Sequence, residues 1–223
     1  MNNLVKRTAT ALTLGSLFIS TMLFAPAFIF SSLLFIILLI ILTTEWPKLF
    51  PNNFIKAALI SPVYPILPFL ILIYLNNTGF AYLVYYVIFA VFAFDTGSYL
   101  AGNLFGKHKI LPRVSPGKSW EGFVGGIFSI YITTIIFLNY TLKASSITNY
   151  PTDNIFFNHI LIFILSILIS FFALSGDLFE SYLKRRVNLK DSGNLLPGHG
   201  GLLDRFDAIM FVAYLIFFIK ILF

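Results

Sequence analysis

Residues 27–44 read AFIFSSLLFIILLIILTT, eighteen consecutive positions without a charged side chain. A helix that crosses the hydrocarbon core of a bilayer needs about 20 predominantly apolar residues. With six further stretches of similar character, the full set lies at about 8–25, 27–44, 55–75, 79–100, 122–142, 156–176 and 206–223. The pattern predicts an all-α fold, a polytopic membrane helix bundle of about seven transmembrane helices with two cytoplasmic polar loops.

The composition excludes a soluble globular protein. Of 223 residues, 58% are hydrophobic and 11% are charged, whereas a soluble domain carries roughly 25% charged residues. The mean hydropathy is +0.90. The absence of cysteine excludes a disulfide scaffold, a thiolate zinc site and a cysteine nucleophile. In a membrane protein the position of the charges matters more than the net charge of +6, so this charge does not indicate a nucleic-acid partner.

The basic residues are distributed unevenly between the two ends of the predicted helices. If the N-terminus is inside, thirteen of the fifteen fall on one side: Lys6, Arg7, Lys48, Lys56, Lys107, Lys109, Arg113, Lys118, Lys184, Arg185, Arg186, Lys190 and Arg205. Only Lys143 and Lys220 fall on the other side or near the far end of a span. The positive-inside rule therefore assigns both polar segments, at about 101–121 and 177–205, to the cytoplasm.

Two features of the first half leave alternatives open. The first thirty residues also resemble a secretory signal with a cleavage site at Ala25-Pro26-Ala27, and cleavage would not change the downstream orientation. The third span contains Pro62, Pro65 and Pro68, which predict a kinked or broken helix. Such a helix either lines a cavity or packs among its neighbours.

The acidic residues are scarce and concentrated. Seven of the nine lie in or beside the polar segments: Asp95, Glu121, Asp177, Glu180, Asp191, Asp204 and Asp207. Ionisable groups near membrane depth are costly unless they are paired or face water, which makes them functional candidates. We therefore divide the chain into an N-terminal transmembrane region without a catalytic motif, 1–94, and a C-terminal catalytic transmembrane region, 95–223.

One helix face carries five polar residues if the sixth span continues as a helix beyond its apolar stretch. Asp177, Glu180, Ser181, Lys184 and Arg185 fall at positions i, i+3, i+4, i+7 and i+8. The acidic end suits a cation, and the basic end suits an anion that reaches in from the cytoplasm. The alternative is a salt-bridge ladder from Glu180 to Lys184 on a solvated helix end.

A glycine-rich segment follows, KDSGNLLPGHGGLLDRFD at residues 190–207. Three glycines and a proline within 197–201 exclude a regular helix, and such a turn can bring backbone N–H groups close to phosphate oxygens. Asp204 and Asp207 then begin the last span, where they can face the preceding helix across Mg²⁺, which prefers one or two carboxylates, waters and phosphates. His199 can contact a phosphate, contact a nucleotide base or form a hydrogen bond within the loop, and the sequence does not decide among these three roles. A role as a metal ligand is the least expected.

The first polar segment has a similar character. Asp95 has Ser98, Tyr99 and Gly102 at helical spacing on its face, and residues 115–122 read SPGKSWEG. A hydroxyl and an ammonium group in a Pro-Gly turn just before a helix predict a phosphate cradle. The alternative is a basic loop that meets anionic lipid headgroups.

Together these motifs closely resemble those of the phosphatidate cytidylyltransferase family, the CDP-diacylglycerol synthases. The family signature resembles the run Ser181-x-x-Lys184-Arg185-x4-Lys190-Asp191-x-Gly193-x2-Leu196-Pro197-Gly198-His199-Gly200-Gly201-x-x-Asp204-Arg205-x-Asp207. Upstream, the motifs at 95–99, 115–122 and 176–178 are similar as well, with Ser119 where the family usually has threonine. The resemblance covers about 95–210.

The resemblance implies that CTP and phosphatidate react to give CDP-diacylglycerol and pyrophosphate, with Mg²⁺, in phospholipid biosynthesis. The metal-binding aspartates of the family correspond to Asp177 and Asp204, with Asp95, Glu180 and Asp191 as further metal candidates. The predicted catalytic residues are Asp177, Asp204, Lys184, Arg185 and Asp207. The predicted substrate and phosphate ligands are Ser115, Lys118, Ser119, Ser181, Lys190, His199, Gly200, Gly201 and Arg205.

The expected partners are CTP, phosphatidate and the lipid bilayer. An additional monovalent cation such as K⁺ and a homodimer are compatible with the resemblance. The predicted location is the inner (cytoplasmic) membrane, multi-pass, with the active site facing the cytoplasm. Two alternatives stay open from the sequence: a transporter or channel for an anionic solute, and another CTP-using lipid enzyme, such as a prenol or dolichol kinase, that transfers the γ-phosphate.

Overall fold

The computed structural model describes residues 3–51, 53–145, 155–196 and 200–222. Within these ranges, seven helical segments correspond one for one to the seven predicted spans. They are α1 (Asn3–Phe24), a rod that begins with α2 (Ala27–Ile40), a broken span with α3 (Phe54–Ile60) and α4 (Leu67–Asn77), α5 (Ala81–Phe105), α6 (Trp120–Ser145), α7 (Ile155–Arg186) and α8 (Leu203–Leu222).

Most of these segments are long and apolar enough to cross a membrane. Five meet that condition among the described residues: Ala27–Leu49, Phe54–Asn77, Ala81–Phe105, Trp120–Tyr140 and Asn158–Arg186. In α1 the apolar part is the shorter stretch Leu12–Phe24, and α8 carries Asp204, Arg205 and Asp207 in its first two turns. The chain is a multi-pass membrane protein with the predicted helix bundle.

Helix α8 lies in the centre of the bundle, against α4, α5 and α7. All of its residues from Phe206 to Met210 are buried, as expected for a helix that is covered on every side. Helices α7 and α8 approach closely at Gly176, where an added Cβ atom would lie 2.4 Å from the carbonyl oxygen of Asp207. This contact sets the polar end of α7, which starts at Asp177, beside the first turns of α8.

The rod that begins with α2 ends in an irregular segment. Ile41–Glu45 is a π-helical turn, and a 3₁₀ turn follows it. The hydroxyls of Thr43 and Thr44 donate to carbonyls of the preceding turn, which competes with the regular helical ladder. Pro47 then removes a backbone donor. At the end of the π-helical turn, the side chain of Glu45 is fully buried.

The third span is broken, as its prolines predict. Pro62–Ile66 is a π-helical turn between α3 and α4, and Tyr64 has the non-helical angles φ −145° and ψ 111°. The hydroxyl of Tyr214 in α8 donates a hydrogen bond of 2.5 Å to the carbonyl of Val63. The buried ring of Tyr64 packs edge-on against Phe179, with 5.0 Å between the ring centroids. The break is therefore packed among neighbouring helices.

The first polar segment folds into a two-stranded antiparallel hairpin, where the sequence predicted only a loop. Strand β1 (Lys109–Leu111) pairs with β2 (Ser115–Ser119). The hydroxyl of Ser119 accepts the N–H of Gly122 at 3.2 Å and caps the first turn of α6. Because β2 contacts α5, α6 and α7, the hairpin lies at the polar end of the bundle.

Candidate active site

A cavity of about 510 Å³ opens beside the hairpin. Its walls come from α5, β1, β2, the start of α6, α7 and α8. The charged side chains that line it are four aspartates and three basic residues: Asp95, Asp177, Asp204, Asp207, Lys109, Lys118 and Arg205. The fold thus brings both polar segments of the sequence and the polar end of α5 to one place.

Asp177 forms an ion pair with Lys118 in the cavity wall. Since Lys118 lies on β2 and Asp177 on α7, the pair joins the hairpin to the bundle. Burial disfavours the charged form of Lys118, but the carboxylates of Asp177 and Asp95 outweigh burial and raise its pKa above the ordinary value. Lys118 therefore stays protonated at neutral pH and keeps a positive charge among the aspartates.

Lys184 belongs to a buried ion-pair triad next to the cavity. Its Nζ atom lies 2.5 Å from Glu180 Oε2 and 2.6 Å from Asp204 Oδ1. The contact with Glu180 is the i, i+4 ladder left open from the sequence, but it is buried rather than solvated, with Glu180 0% and Lys184 8% exposed. In the described part of the chain neither residue lines the cavity. Lys184 therefore links α7 to Asp204, and the proposed metal role of Glu180 stays a prediction.

Asp204 also fixes the glycine-rich loop that precedes α8. Its Oδ2 atom accepts the N–H of Gly201 at 2.7 Å and the N–H of Ser192 at 3.0 Å. Gly200 has φ +84°, and a Cβ atom there would lie 2.7 Å from the same oxygen, so this position requires glycine. The sequence indicated that such a turn can bring backbone N–H groups close to phosphate oxygens, and this role stays a prediction. In the structure the Gly201 N–H donates to Asp204, because that carboxylate reaches back from the first helical turn.

The remaining predicted site residues occupy several positions. Arg185 donates from Nε to the Val114 carbonyl at 3.2 Å and from Nη1 to the Leu189 carbonyl at 2.9 Å, which links the hairpin to the loop. Ser119 lines the cavity. Four further candidates are described but lie outside the cavity lining: Ser115, Ser181, Lys190 and Asp191. His199 lies outside the described residues.

Glu45 is a further candidate that was not identified from the sequence. Its Oε1 atom accepts the N–H of Leu202 at 2.9 Å. Its Oε2 atom accepts the N–H of Leu203 at 2.7 Å and the hydroxyl of Ser192 at 3.3 Å. The available signal was a single carboxylate directly after an uncharged apolar run. No recognisable motif surrounds it, so its partners could not be inferred.

The donors around the cavity fit a hard divalent cation. Asp95, Asp177, Asp204 and Asp207 supply carboxylate oxygens from three helices, the ligand type that Mg²⁺ prefers. Within the described ranges, no three acidic, histidine or cysteine side chains converge into a complete metal shell. An Mg²⁺ ion would therefore be bound by one or two of these carboxylates, with waters and substrate phosphates as its other ligands.

Comparison with known proteins agrees with this arrangement of residues. The sequence model of the Cytidylyltransferase family matches residues 9–223. A phosphatidate cytidylyltransferase of Rickettsia felis is 34% identical over 228 residues, which cover 99% of this chain and 93% of the relative. Proteins of the same name are 39% identical over 162 residues in Staphylococcus haemolyticus (72% of this chain, 57% of the relative) and 38% identical over 149 residues in Bacillus subtilis (67% and 51%). The chain therefore belongs to the cytidylyltransferase family.

Proposed function

We propose that this chain is a phosphatidate cytidylyltransferase, an integral membrane nucleotidyltransferase that converts CTP and phosphatidate into CDP-diacylglycerol and pyrophosphate. The main support is the cavity in which four aspartates lie beside Lys118 and Arg205, at the polar end of a bundle of apolar helices. Such a site can receive a nucleotide from water and a phosphate headgroup from the membrane. The names of the relatives support the same reaction.

In this reaction a phosphate oxygen of phosphatidate attacks the α-phosphorus of CTP. The bond from that phosphorus to the oxygen bridging to the β-phosphate breaks, and pyrophosphate leaves. The attacking oxygen is already anionic, so it needs little help from a general base. The barrier comes from bringing two polyanions together, and preorganised positive charge is therefore the main catalytic requirement. Lys118 and Arg205 supply such charge at the cavity wall.

Asp177 and Asp204 are the residues that we propose for binding Mg²⁺, with Asp95 and Asp207 as further oxygen donors in the same cavity. When bound, the ion would neutralise charge on the phosphoryl oxygens. Asp204 is already held by the Lys184 ammonium and by two backbone N–H groups. Its carboxylate therefore needs little reorganisation on substrate binding, which favours catalysis.

Isotope-labelled CTP separates the proposed reaction from its closest alternative. Purified protein in detergent is incubated with phosphatidate, Mg²⁺ and CTP labelled at either the α- or the γ-phosphorus, and label in the lipid fraction is counted. We expect the α label to enter the lipid and the γ label to leave as pyrophosphate. Transfer of the γ label to lipid would indicate a CTP-dependent lipid kinase. If the lipid stays unlabelled with either labelled form of CTP, the result would favour transport of an anionic solute instead.

The orientation is part of the proposal. We place the cavity on the cytoplasmic side of the inner membrane, because thirteen of the fifteen basic residues share the side of the two polar segments. The multi-pass fold and the bacterial relatives support this location. Formation of a homodimer and binding of a monovalent cation such as K⁺ stay predictions.

Single cysteines can test the orientation, since the chain contains none of its own. Asn194 is exposed in the loop before α8, and Thr78 is exposed at the opposite end of the bundle, just after α4. In intact spheroplasts we expect a membrane-impermeant maleimide to label Thr78→Cys but not Asn194→Cys. Permeabilisation should make Asn194→Cys reactive. The reverse labelling pattern would place the cavity on the outer side.

A further inference from the structure

A buried carboxylate from the N-terminal region contacts the segment between α7 and α8, whose described residues 187–196 and 200–202 are called here the signature loop. Among the described residues, Glu45 accepts three hydrogen bonds, two from this loop and one from the first residue of α8. The fit is close on two sides, because a Cβ atom on Gly193 or on Gly201 would lie 2.6 Å or 2.5 Å from Glu45 Oε1. Both positions therefore need glycine while Glu45 occupies this place.

The charge of Glu45 is met by the backbone rather than by a basic side chain. Among the described residues, none of the ion pairs includes Glu45. Its oxygens instead accept the N–H groups of Leu202 and Leu203. These groups belong to the start of α8, where the first N–H donors have no partner within the helix and the helix dipole favours a negative charge.

Asp204 also binds the same loop, through the N–H groups of Ser192 and Gly201. Ser192 connects the two acids, since its N–H donates to Asp204 Oδ2 at 3.0 Å and its hydroxyl donates to Glu45 Oε2 at 3.3 Å. Glu45 itself does not line the described cavity. We infer that Glu45 is a positioning residue: through the signature loop it fixes Asp204 and the start of α8 for the proposed phosphate chemistry.

This inference gives the N-terminal region a part in the active site beyond anchoring in the membrane. It depends on the proposed function only for its effect on turnover. The effect on the loop can be measured in the protein without metal, nucleotide or lipid substrate. A negative result in the labelled-CTP assay with the wild type would thus refute the reaction, whereas the loop measurement tests Glu45 by itself.

The experiment uses Glu45→Gln in the full-length protein in detergent. The amide is nearly the same size as the carboxylate but has one acceptor oxygen, and its NH₂ group would face backbone N–H donors. We expect hydrogen exchange at Ser192, Leu202 and Leu203 to accelerate at least about tenfold, as hydrogen bonds in the loop are lost. We also expect kcat to fall by about 100-fold, the effect of a displacement of about 1 Å near reacting groups.

Two further variants separate positioning from general stability. Asn76→Leu removes another buried polar side chain of the N-terminal region, one that bonds Ser31 and the Ala27 carbonyl and does not touch the loop. We expect it to leave loop exchange and kcat close to wild type. Ser192→Ala removes only the hydroxyl contact with Glu45. We expect a smaller acceleration of loop exchange and a smaller fall in kcat than in Glu45→Gln. The double variant should show no larger effects than Glu45→Gln alone.

The inference is overturned if Glu45→Gln and Ser192→Ala both leave loop exchange and kcat unchanged. It is also overturned if Glu45→Gln lowers the unfolding temperature as Asn76→Leu does, with no faster exchange in the loop than that control shows. If Glu45→Gln does not fold, Ser192→Ala alone decides whether Glu45 positions the loop or only stabilises the fold. This variant alters one contact of the loop and leaves Glu45 in place.

Discussion

Asp177→Asn should reduce CMP transfer about 1,000-fold or more, which corresponds to about 4 kcal/mol of lost transition-state stabilisation. The amide lacks the negative charge with which Asp177 would bind Mg²⁺ under the proposed function. Folding should change much less than turnover, because Lys118 keeps the nearby carboxylate of Asp95 and its pair with Asp177 is partly open to solvent, with side-chain exposures of 20% and 26%. Initial rates and the thermal unfolding temperature measure the two effects separately.

A neighbouring substitution and a second readout make this test specific. Ser175 lies on the same helix, and in the described part of the chain its hydroxyl donates to the Phe171 carbonyl alone, so we expect normal turnover in Ser175→Ala. Mn²⁺ can replace Mg²⁺ as a paramagnetic probe, and its binding should weaken in Asp177→Asn but not in Ser175→Ala. Asp204→Asn should also abolish transfer. Turnover close to wild type in both aspartate variants would remove these residues from the metal site.

Lys184→Met is expected to lower the free energy of unfolding by about 3–5 kcal/mol, the usual cost of removing one partner from a buried ion pair. The variant leaves the carboxylates of Glu180 and Asp204 buried without the cation that they share. From the sequence, Lys184 was a predicted catalytic residue at the basic end of the helix, the end that suits an anion. The buried triad indicates that its loss acts first on folding and on the position of Asp204. Denaturant unfolding in mixed micelles provides the measurement.

The charge balance of the triad can be tested by a second substitution. In the double variant Glu180→Gln/Lys184→Met, one of the two uncompensated charges is removed, so we expect part of the lost stability to return. Lys56→Met makes the same replacement at an exposed position of α3 and should leave stability unchanged. If Lys184→Met unfolds like wild type but has a raised KM for CTP, Lys184 contacts the phosphates directly and the structural role is wrong.

The helices could be predicted because each one needs an apolar stretch of sufficient length, which is a local property of the sequence. The stretch 27–44 lies in the continuous span Ala27–Leu49. The sixth span stays helical to Arg186, which is the condition under which its five polar residues were expected to share one face. The hairpin was not foreseen. Strands β1 and β2 are short and lack a clear alternation of apolar and polar residues, so their pairing depends on the surrounding helices.

The site was predictable where its chemistry is concentrated in side chains. Charges beside apolar helices are costly, and that cost directed attention to Asp177 and Asp204 before the resemblance assigned them a metal. Glu45 could not be found in this way, because its partners are backbone N–H groups 157 and 158 residues further along the chain. Almost every residue has a backbone N–H group, so the sequence does not show which of them a side chain contacts. For the same reason, only the fold shows that the Gly201 N–H donates to Asp204.

The central position of α8 has a consequence for biogenesis. This helix follows the other seven along the chain, yet it supplies Asp204 and Asp207, half of the aspartates in the cavity. A nascent polypeptide that has delivered only α1 to α7 to the bilayer contains Asp95 and Asp177 facing an unfinished wall. Catalytic competence therefore arises late in synthesis, when α8 docks between α4, α5 and α7, and a ribosome that stalls before Leu203 yields an embedded but inert product.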